Sequence, residues 1–163
     1  MFDILPESAA PSDVDLTEEL RKAKDRCRQI FLELPVSVER NSILGALGRI
    51  GKASLKHKIR YRSQNILDVI GSKFPEIHTV IDEAVICRNH YVHGSDPSFD
   101  YNTNFDSVQF FTDTLEFIFA ASDLVEAGWD VAAWCAKPTS MSHPFGRYRA
   151  TYFESLGQLK KLL

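Results

Sequence analysis

Apolar residues recur with helical spacing along most of this chain, and no segment alternates polar and apolar residues as a half-buried strand does. Between Leu16 and Leu34 the apolar positions follow the period of an amphipathic helix, which Pro35 ends. Similar patterns predict helices within 37–50, 54–71, 75–94, 108–125 and 148–159, and a short one within 129–138. We therefore predict an all-α fold, a bundle of about five to six helices.

The length and composition indicate one globular domain. The chain has 163 residues, of which 44% are hydrophobic and 25% are charged. These values are close to the average for soluble domains and unlike those of disordered or collagen-like chains. Pro6 and Pro11 lie among small and acidic residues, so we predict a flexible arm at 1–13 and a single helical domain at 14–163.

The sequence contains no evident membrane span or secretion signal, which favours a cytoplasmic protein. No apolar run approaches the roughly 18 to 20 residues of a membrane-spanning helix, and the first residues lack the basic start and apolar centre of a signal peptide. The three cysteines, Cys27, Cys87 and Cys135, are odd in number and widely spaced. This pattern favours reduced thiols packed in the core over a disulfide framework.

Positive charge is concentrated in one segment although the net charge of the chain is −3. Between Arg40 and Leu67 there is no aspartate or glutamate. The segment contains these basic residues: Arg40, Arg49, Lys52, Lys56, Lys58, Arg60 and Arg62. They would form a surface that binds phosphates, or a solvated helix face whose charges meet acids from elsewhere in the fold.

The sequence CRNHYVHG at 87–94 combines an arginine, an asparagine and two histidines at a predicted helix end. On a helical wheel Arg88 lies in the middle of an apolar stripe that includes Tyr91 and Val92. A buried arginine is costly without an anion. The stripe is therefore either an interface that receives an anion or a face that packs against an acid such as Glu116.

The other polar residues of this stretch lie on a different face of the helix. Asn89 and His93 are four residues apart and share that face with Asp82. Arg88 and His93 diverge by about 140° around an ideal helix, so they converge through the reach of the arginine, through unwinding at Gly94 or across a dimer axis. His93 would alternatively cap the helix end, with Gly94 in a left-handed conformation.

The stretch RNHYVH resembles the signature of the HEPN superfamily, small all-helical domains that include many ribonucleases. That signature is an arginine, a polar residue, variable residues and a histidine. The segment SLKHKIRYRSQNIL before it, and the polar loop and long aromatic-rich helix after it, resemble in particular the ApeA-like branch found in bacterial anti-phage proteins. The resemblance covers roughly residues 37 to 160 and implies a HEPN-type helical bundle.

The resemblance also implies a metal-independent endoribonuclease that uses no cofactor. Arg88 and His93 would take the catalytic positions, and Asn89 the polar position beside the arginine. HEPN domains typically dimerise with their motifs facing across a two-fold cleft, which would supply a second arginine and a second histidine. His90 is a secondary candidate that would act within the same chain.

RNA and a second copy of the chain are the expected partners. The expected RNA-binding residues are Lys52, Lys56, Lys58, Arg60 and Arg62. In the ApeA-like branch the domain usually follows a larger N-terminal region, so such a region or a partner protein is also expected. Some relatives carry a tyrosine two residues after the histidine, to which an antitoxin attaches nucleotides; Ser95 occupies that position here, which argues against this form of silencing.

Two other classes of function fit the same residues. A non-catalytic helical module would bind RNA or protein through the basic helix and dimerise through the motif helix. A metal site would use Cys87, His90 and His93, which step three residues apart along one helix. Their directions spread over about 120°, however, and structural zinc sites more often draw ligands from two turns or loops.

Overall fold

A computed structural model describes residues 15–138 and 140–163 of the chain. The arm predicted at 1–13 lies outside these residues. Seven α-helices and no β-strand are present in the described part, so the predicted all-α fold is confirmed. These helices correspond to the seven predicted segments, including the short one before Pro138, so their number exceeds the five to six expected for the bundle.

The described residues group into two compact units, one that ends at Ser54 and one that begins at Leu55. The first unit holds helices α1 (Glu18–Glu33) and α2 (Val38–Arg49). The second holds α3 (Leu55–Ile70), a 3-10 turn (Gly71–Lys73), α4 (Ile77–His93), α5 (Phe105–Glu126), α6 (Val131–Ala136) and α7 (Pro144–Leu159). No helix in the described ranges is long and apolar enough to cross a membrane.

Polar side chains connect α1 and α2 within the first unit. Ser37 caps α2 by accepting a hydrogen bond from the Arg40 amide. The Arg40 guanidinium donates to the carbonyls of Phe31 and Leu32 at 2.7 and 3.1 Å, which satisfies carbonyls that the end of α1 leaves unpaired. Pro35 follows α1 as predicted, because it cannot continue a helix.

Helix α5 is the centre of the second unit and packs against α3, α4 and α7. Phe74, which follows the 3-10 turn, contacts the rings of Phe117, Tyr148 and Tyr152 at centroid distances of 5.0 to 5.5 Å. The buried hydroxyls are paired: Tyr148 donates to Thr114 Oγ1 at 3.0 Å, and Tyr152 to the Pro75 carbonyl at 2.7 Å. This core holds α4 in place and thereby positions the motif.

Cysteine burial follows the prediction only in part. All three cysteines are free, so no disulfide framework exists. Cys87 is buried, Cys135 is half-buried and Cys27 is exposed. The prediction that Cys27 is a core residue is wrong, because none of the residues of α1 is buried.

Candidate active site at the end of helix α4

The C-terminal turns of α4 carry the motif, and there the helix leaves the core. Its buried residues are Ile77, Val80, Ile81, Ala84, Val85 and Cys87. Arg88 is half-buried, whereas Tyr91 and Val92 are each 57% exposed. In the single chain this end of the apolar stripe is therefore uncovered, because periodicity identifies a face of the helix but not the point at which its covering elements stop.

Arg88 and His93 are in direct contact. Nη1 of Arg88 lies 2.9 Å from Nε2 of His93 and 3.2 Å from Oδ1 of Asn89. Helix α4 continues through His93, so the reach of the arginine, and not unwinding, brings the side chains together. Because a guanidinium only donates hydrogen bonds, His93 accepts through Nε2, and its neutral ring carries the hydrogen on Nδ1.

His90 is held by the turn that ends α4. Gly94 adopts the predicted left-handed conformation, with φ of 69°, and its amide donates to the His90 carbonyl at 2.9 Å. The turn brings the Ser95 carbonyl to 2.7 Å from His90 Nδ1. The His90 ring also meets Tyr91 and Tyr101 edge-on, so it is half-buried.

A mostly apolar groove of about 340 Å³ lies between α4 and α5, next to the motif. Its walls include Tyr91 from α4 and Phe111 and Leu115 from α5, and Arg88 and Glu116 both line it. Arg88 thus borders this groove and also contacts His93. The end of α4 combines a cation, a histidine and exposed apolar surface in one place.

A family model described as Apea-like HEPN matches residues 6–132. This chain belongs to the Apea-like HEPN family. The match begins before α1 and ends within α6, so it lies further towards the N-terminus than the expected 37 to 160 and does not include α7. No curated protein and no solved structure matches the chain.

Two of the expected RNA-binding residues of this HEPN domain are paired with one acid. Arg60 donates from Nε and Nη2 to the two oxygens of Asp82 at 3.0 and 2.6 Å, and Lys56 Nζ lies 3.2 Å from the same carboxylate. All three side chains are partly exposed, and helix spacing places Asp82 on the face of Asn89 and His93. Two cations share one anion, so a positive charge remains on this surface.

Arg62 of the HEPN domain is not accessible to RNA. Its side chain is 1% exposed, and its guanidinium contacts Ser122, Asp123 and Glu126 of α5. The prediction that Arg62 contacts RNA is wrong, because two residues after Arg60 the helix turns this position towards α5. Lys58 is half-exposed on α3, and Lys52 is exposed in the first unit.

The geometry does not favour the metal site. Among the described residues, no group of three or more histidine, cysteine, aspartate and glutamate side chains is placed to hold a metal ion. Cys87 faces the core while His93 is exposed. Burial also raises the pKa of the Cys87 thiol, which disfavours the thiolate that binds metals.

Sequence reasoning missed the two groups that orient His90, which are the Ser95 carbonyl and the Tyr101 ring. Gly94 signals a turn, but it does not indicate which carbonyl the turn returns to the helix. Tyr101 is buried at 2% exposure, and it lies in the segment that we interpreted only as a polar loop. The aromatic residues of SFDY were the available signal, since Phe99 and Tyr101 pack together at 4.9 Å.

Proposed function

We propose that this HEPN domain is a metal-independent endoribonuclease with Arg88, His93 and Asn89 as its catalytic residues. The contact between Arg88 Nη1 and His93 Nε2 carries the proposal. It places a donor fork that fits phosphate beside an imidazole, a group that can serve as a base or an acid. The general association of HEPN domains with ribonucleases and defence supports the same function.

RNA cleavage without a metal needs a base for the 2′-hydroxyl proton, an acid for the leaving 5′-oxygen and positive charge over the phosphate. His93 acts as the base through Nε2, which becomes available when Arg88 turns from the histidine to the phosphate. Arg88 then donates paired hydrogen bonds to phosphate oxygens. Asn89 accepts from the same guanidinium at 3.2 Å and keeps it near the reacting group.

A second copy of the chain completes the site in this proposal. The exposed Tyr91 and Val92 and the groove beside them offer apolar surface next to the motif. Two copies that meet there would bring two arginines and two histidines to one cleft. The second arginine adds charge over the phosphodiester, which a single half-exposed guanidinium supplies less effectively.

Placing a charge at this interface should separate the copies. Tyr91→Glu is expected to convert a dimer into a monomer, because it removes an apolar ring from the interface and brings two carboxylates of like charge close together near the two-fold axis. Light scattering with size-exclusion chromatography measures the mass. Phe153→Glu is the matched control, since Phe153 is 60% exposed on α7, and it should leave the dimer intact; equal dissociation by both variants, or a monomeric wild type, would contradict this interface.

The RNA backbone follows the α3 side of α4. Lys56 and Arg60 exchange Asp82 for phosphates, and Lys58 adds a weaker contact. Lys52 is a further RNA-binding candidate that belongs to the first unit. Asp82 and Asn89 are seven residues apart, a distance of about 10 Å along the helix axis. One strand can therefore span the basic pair and the catalytic residues together.

The cellular role that fits this chemistry is anti-phage or toxin-type defence in the cytoplasm. Unregulated RNA cleavage would harm the host, so a larger N-terminal region or a partner protein is expected to control it. Ser95 occupies the position where some relatives carry a tyrosine for nucleotide attachment, so we do not expect an antitoxin to silence this chain by that modification.

Product analysis tests the function directly. The wild-type protein incubated with mixed RNA in excess chelator should yield fragments that end in 2′,3′-cyclic phosphate and begin with 5′-hydroxyl, because attack by the 2′-oxygen expels the 5′-oxygen. End-specific ligation and mass spectrometry identify both ends. Intact RNA, cleavage that requires a divalent metal, or 3′-hydroxyl products would each refute the proposal.

The second candidate is a non-catalytic HEPN module that binds RNA or protein and mediates dimerisation. The ion-paired Lys56 and Arg60 and the exposed end of α4 favour it, because docking needs no proton transfer. Such a module would bind RNA in the same assay and release no fragments.

A further inference from the structure

His90 is oriented more firmly than an ordinary surface histidine. The Ser95 carbonyl can only accept, so the 2.7 Å contact places a hydrogen on Nδ1 of His90. Tyr91 and Tyr101 meet the ring edge-on at centroid distances of 5.2 and 5.4 Å. Tyr101 is itself fixed, because it is buried against Phe99 and its hydroxyl accepts from the Ser98 amide at 3.3 Å.

This contact leaves one nitrogen of His90 for proton exchange. Nε2 of His90 has no hydrogen-bond partner among the described residues, and its protonation would not disturb the bond from Nδ1 to Ser95. A histidine whose Nδ1 donates to a carbonyl is a common arrangement in acid–base catalysis, because the bond fixes both tautomer and ring direction. His90 is thus prepared to present a proton from Nε2.

His90 and His93 are neighbours on α4. They are three positions apart in the sequence, so they lie about 60° apart around the helix and about one turn apart along it. Arg88 donates to Nε2 of His93, whereas the carbonyl of Ser95 accepts from Nδ1 of His90. The two imidazoles therefore have opposite partners, a donor for one and an acceptor for the other.

We propose that His90 is the general acid of the cleavage reaction and acts within the same chain as the base His93; this assignment rests on the proposed ribonuclease function. His93 Nε2 takes the proton of the 2′-hydroxyl as the bond from O2′ to phosphorus forms. The bond from phosphorus to O5′ breaks, and O5′ takes the proton from protonated His90 Nε2. The products are a 2′,3′-cyclic phosphate and a 5′-hydroxyl, and exchange with water returns both histidines to their starting states.

In this scheme the leaving group does not depend on His93 of a second copy. The second copy instead contributes Arg88 and the closed cleft. His90 is therefore a catalytic residue of its own, and Tyr101 is a positioning residue that acts through it.

The test compares two RNAs that differ in one atom. The first is an oligonucleotide cut at a mapped linkage, and the second carries sulfur in place of the 5′-bridging oxygen at that linkage. A thiolate leaves without a proton, so the second RNA bypasses the general acid. His90→Asn is the informative variant, because its amide can still donate to the Ser95 carbonyl but cannot transfer a proton at neutral pH.

We expect His90→Asn to cut the oxygen RNA roughly 10²- to 10⁴-fold more slowly than wild type and the sulfur RNA at the wild-type rate. His93→Ala should slow both, since each needs the base. If His90→Asn cut the oxygen RNA at the wild-type rate, the assignment would be overturned and the acid would lie elsewhere. An equal loss of rate on both RNAs would also overturn it, because it would indicate a role in positioning only. A wild-type protein that cuts neither RNA would instead refute the ribonuclease function itself.

Discussion

His93→Ala is expected to reduce RNA cleavage by roughly 10²- to 10⁴-fold, the contribution typical of a side chain that transfers a proton in the transition state. His93 is exposed, so its removal should change the free energy of unfolding by no more than about 0.5 kcal/mol. The initial cleavage rate of one labelled RNA measures the first effect, and a thermal melt measures the second. Loss of activity with an unchanged melt would assign the effect to chemistry.

Two further variants separate the roles of His93 and Arg88. His93→Gln offers an oxygen that can accept from Arg88 but cannot take up a proton at neutral pH, so it should be as inactive as His93→Ala. Arg88→Ala should reduce the cleavage rate by roughly 10²- to 10³-fold, which is comparable with the effect of removing one hydrogen-bond donor to a developing charge. The double variant should lose little more than the worse single variant, because both residues act on one phosphodiester.

The non-catalytic module makes the opposite predictions. His93→Ala would then leave RNA affinity, dimerisation and the melt unchanged, and the wild type would release no fragments for the substitution to abolish. Full activity of His93→Gln would also contradict the base role, since it would mean that His93 only holds Arg88. Fluorescence anisotropy with a labelled RNA keeps binding and cleavage separate in these comparisons.

The helices of this chain were predictable because each has its own local signals. Pro35 follows α1 as predicted, α2 begins directly after Ser37, close to its predicted start, and Gly94 ends α4 in the left-handed conformation of the capping alternative. These signals act over three to five residues, so they do not depend on the tertiary structure. Because these signals are local, they predict the all-α class. They do not predict how far the last turn of α4 is buried, which depends on the elements that pack against it.

The contact between Arg88 and His93 depends on a side-chain rotamer, which no periodic pattern specifies. An ideal helix separates the two residues by about 140°, and only the length of the arginine side chain closes the gap. The sequence allowed three ways for Arg88 and His93 to meet. Within one chain, the structure shows that the length of the arginine side chain brings them together. The orientation of His90 was out of reach for a similar reason, because it requires the path of the chain after Gly94.

Charge was a weaker guide than periodicity. The acid-free segment from Arg40 to Leu67 gave the same weight to Lys56 and Arg60, which are partly exposed and paired with Asp82, and to Arg62, which is buried. Composition does not tell a partly exposed cation from a buried one, and two residues along a helix turn the side chain by about 200°. Asp123 and Glu126, some sixty residues away in sequence, are what make the burial of Arg62 tolerable.

Arg62→Ala is expected to destabilise the fold by about 3 kcal/mol, the lower end of the cost of breaking a buried ion pair. The lower end applies because Asp123 and Glu126 are about half-exposed and can be solvated again when the arginine is lost. For a chain of this size the melting temperature should fall by roughly 6 to 12 °C. Arg60→Ala is the matched control on the same helix and should cost at most about 1 kcal/mol, since its pair with Asp82 is partly exposed.

Arg62→Met distinguishes burial from RNA contact at this position. The methionine side chain fills much of the same space without a charge, so stability should return to within about 1 kcal/mol of wild type, and Ser122 keeps its bond to the Phe119 carbonyl at 2.9 Å. RNA affinity should then equal that of the wild type, whereas Arg60→Ala should weaken it and reduce the slope of log affinity against log salt by roughly 0.7. If Arg62→Met folded but bound RNA as weakly as Arg60→Ala, Arg62 would be an RNA contact. That result would contradict its role as a buried ion-pair partner that connects α3 and α5.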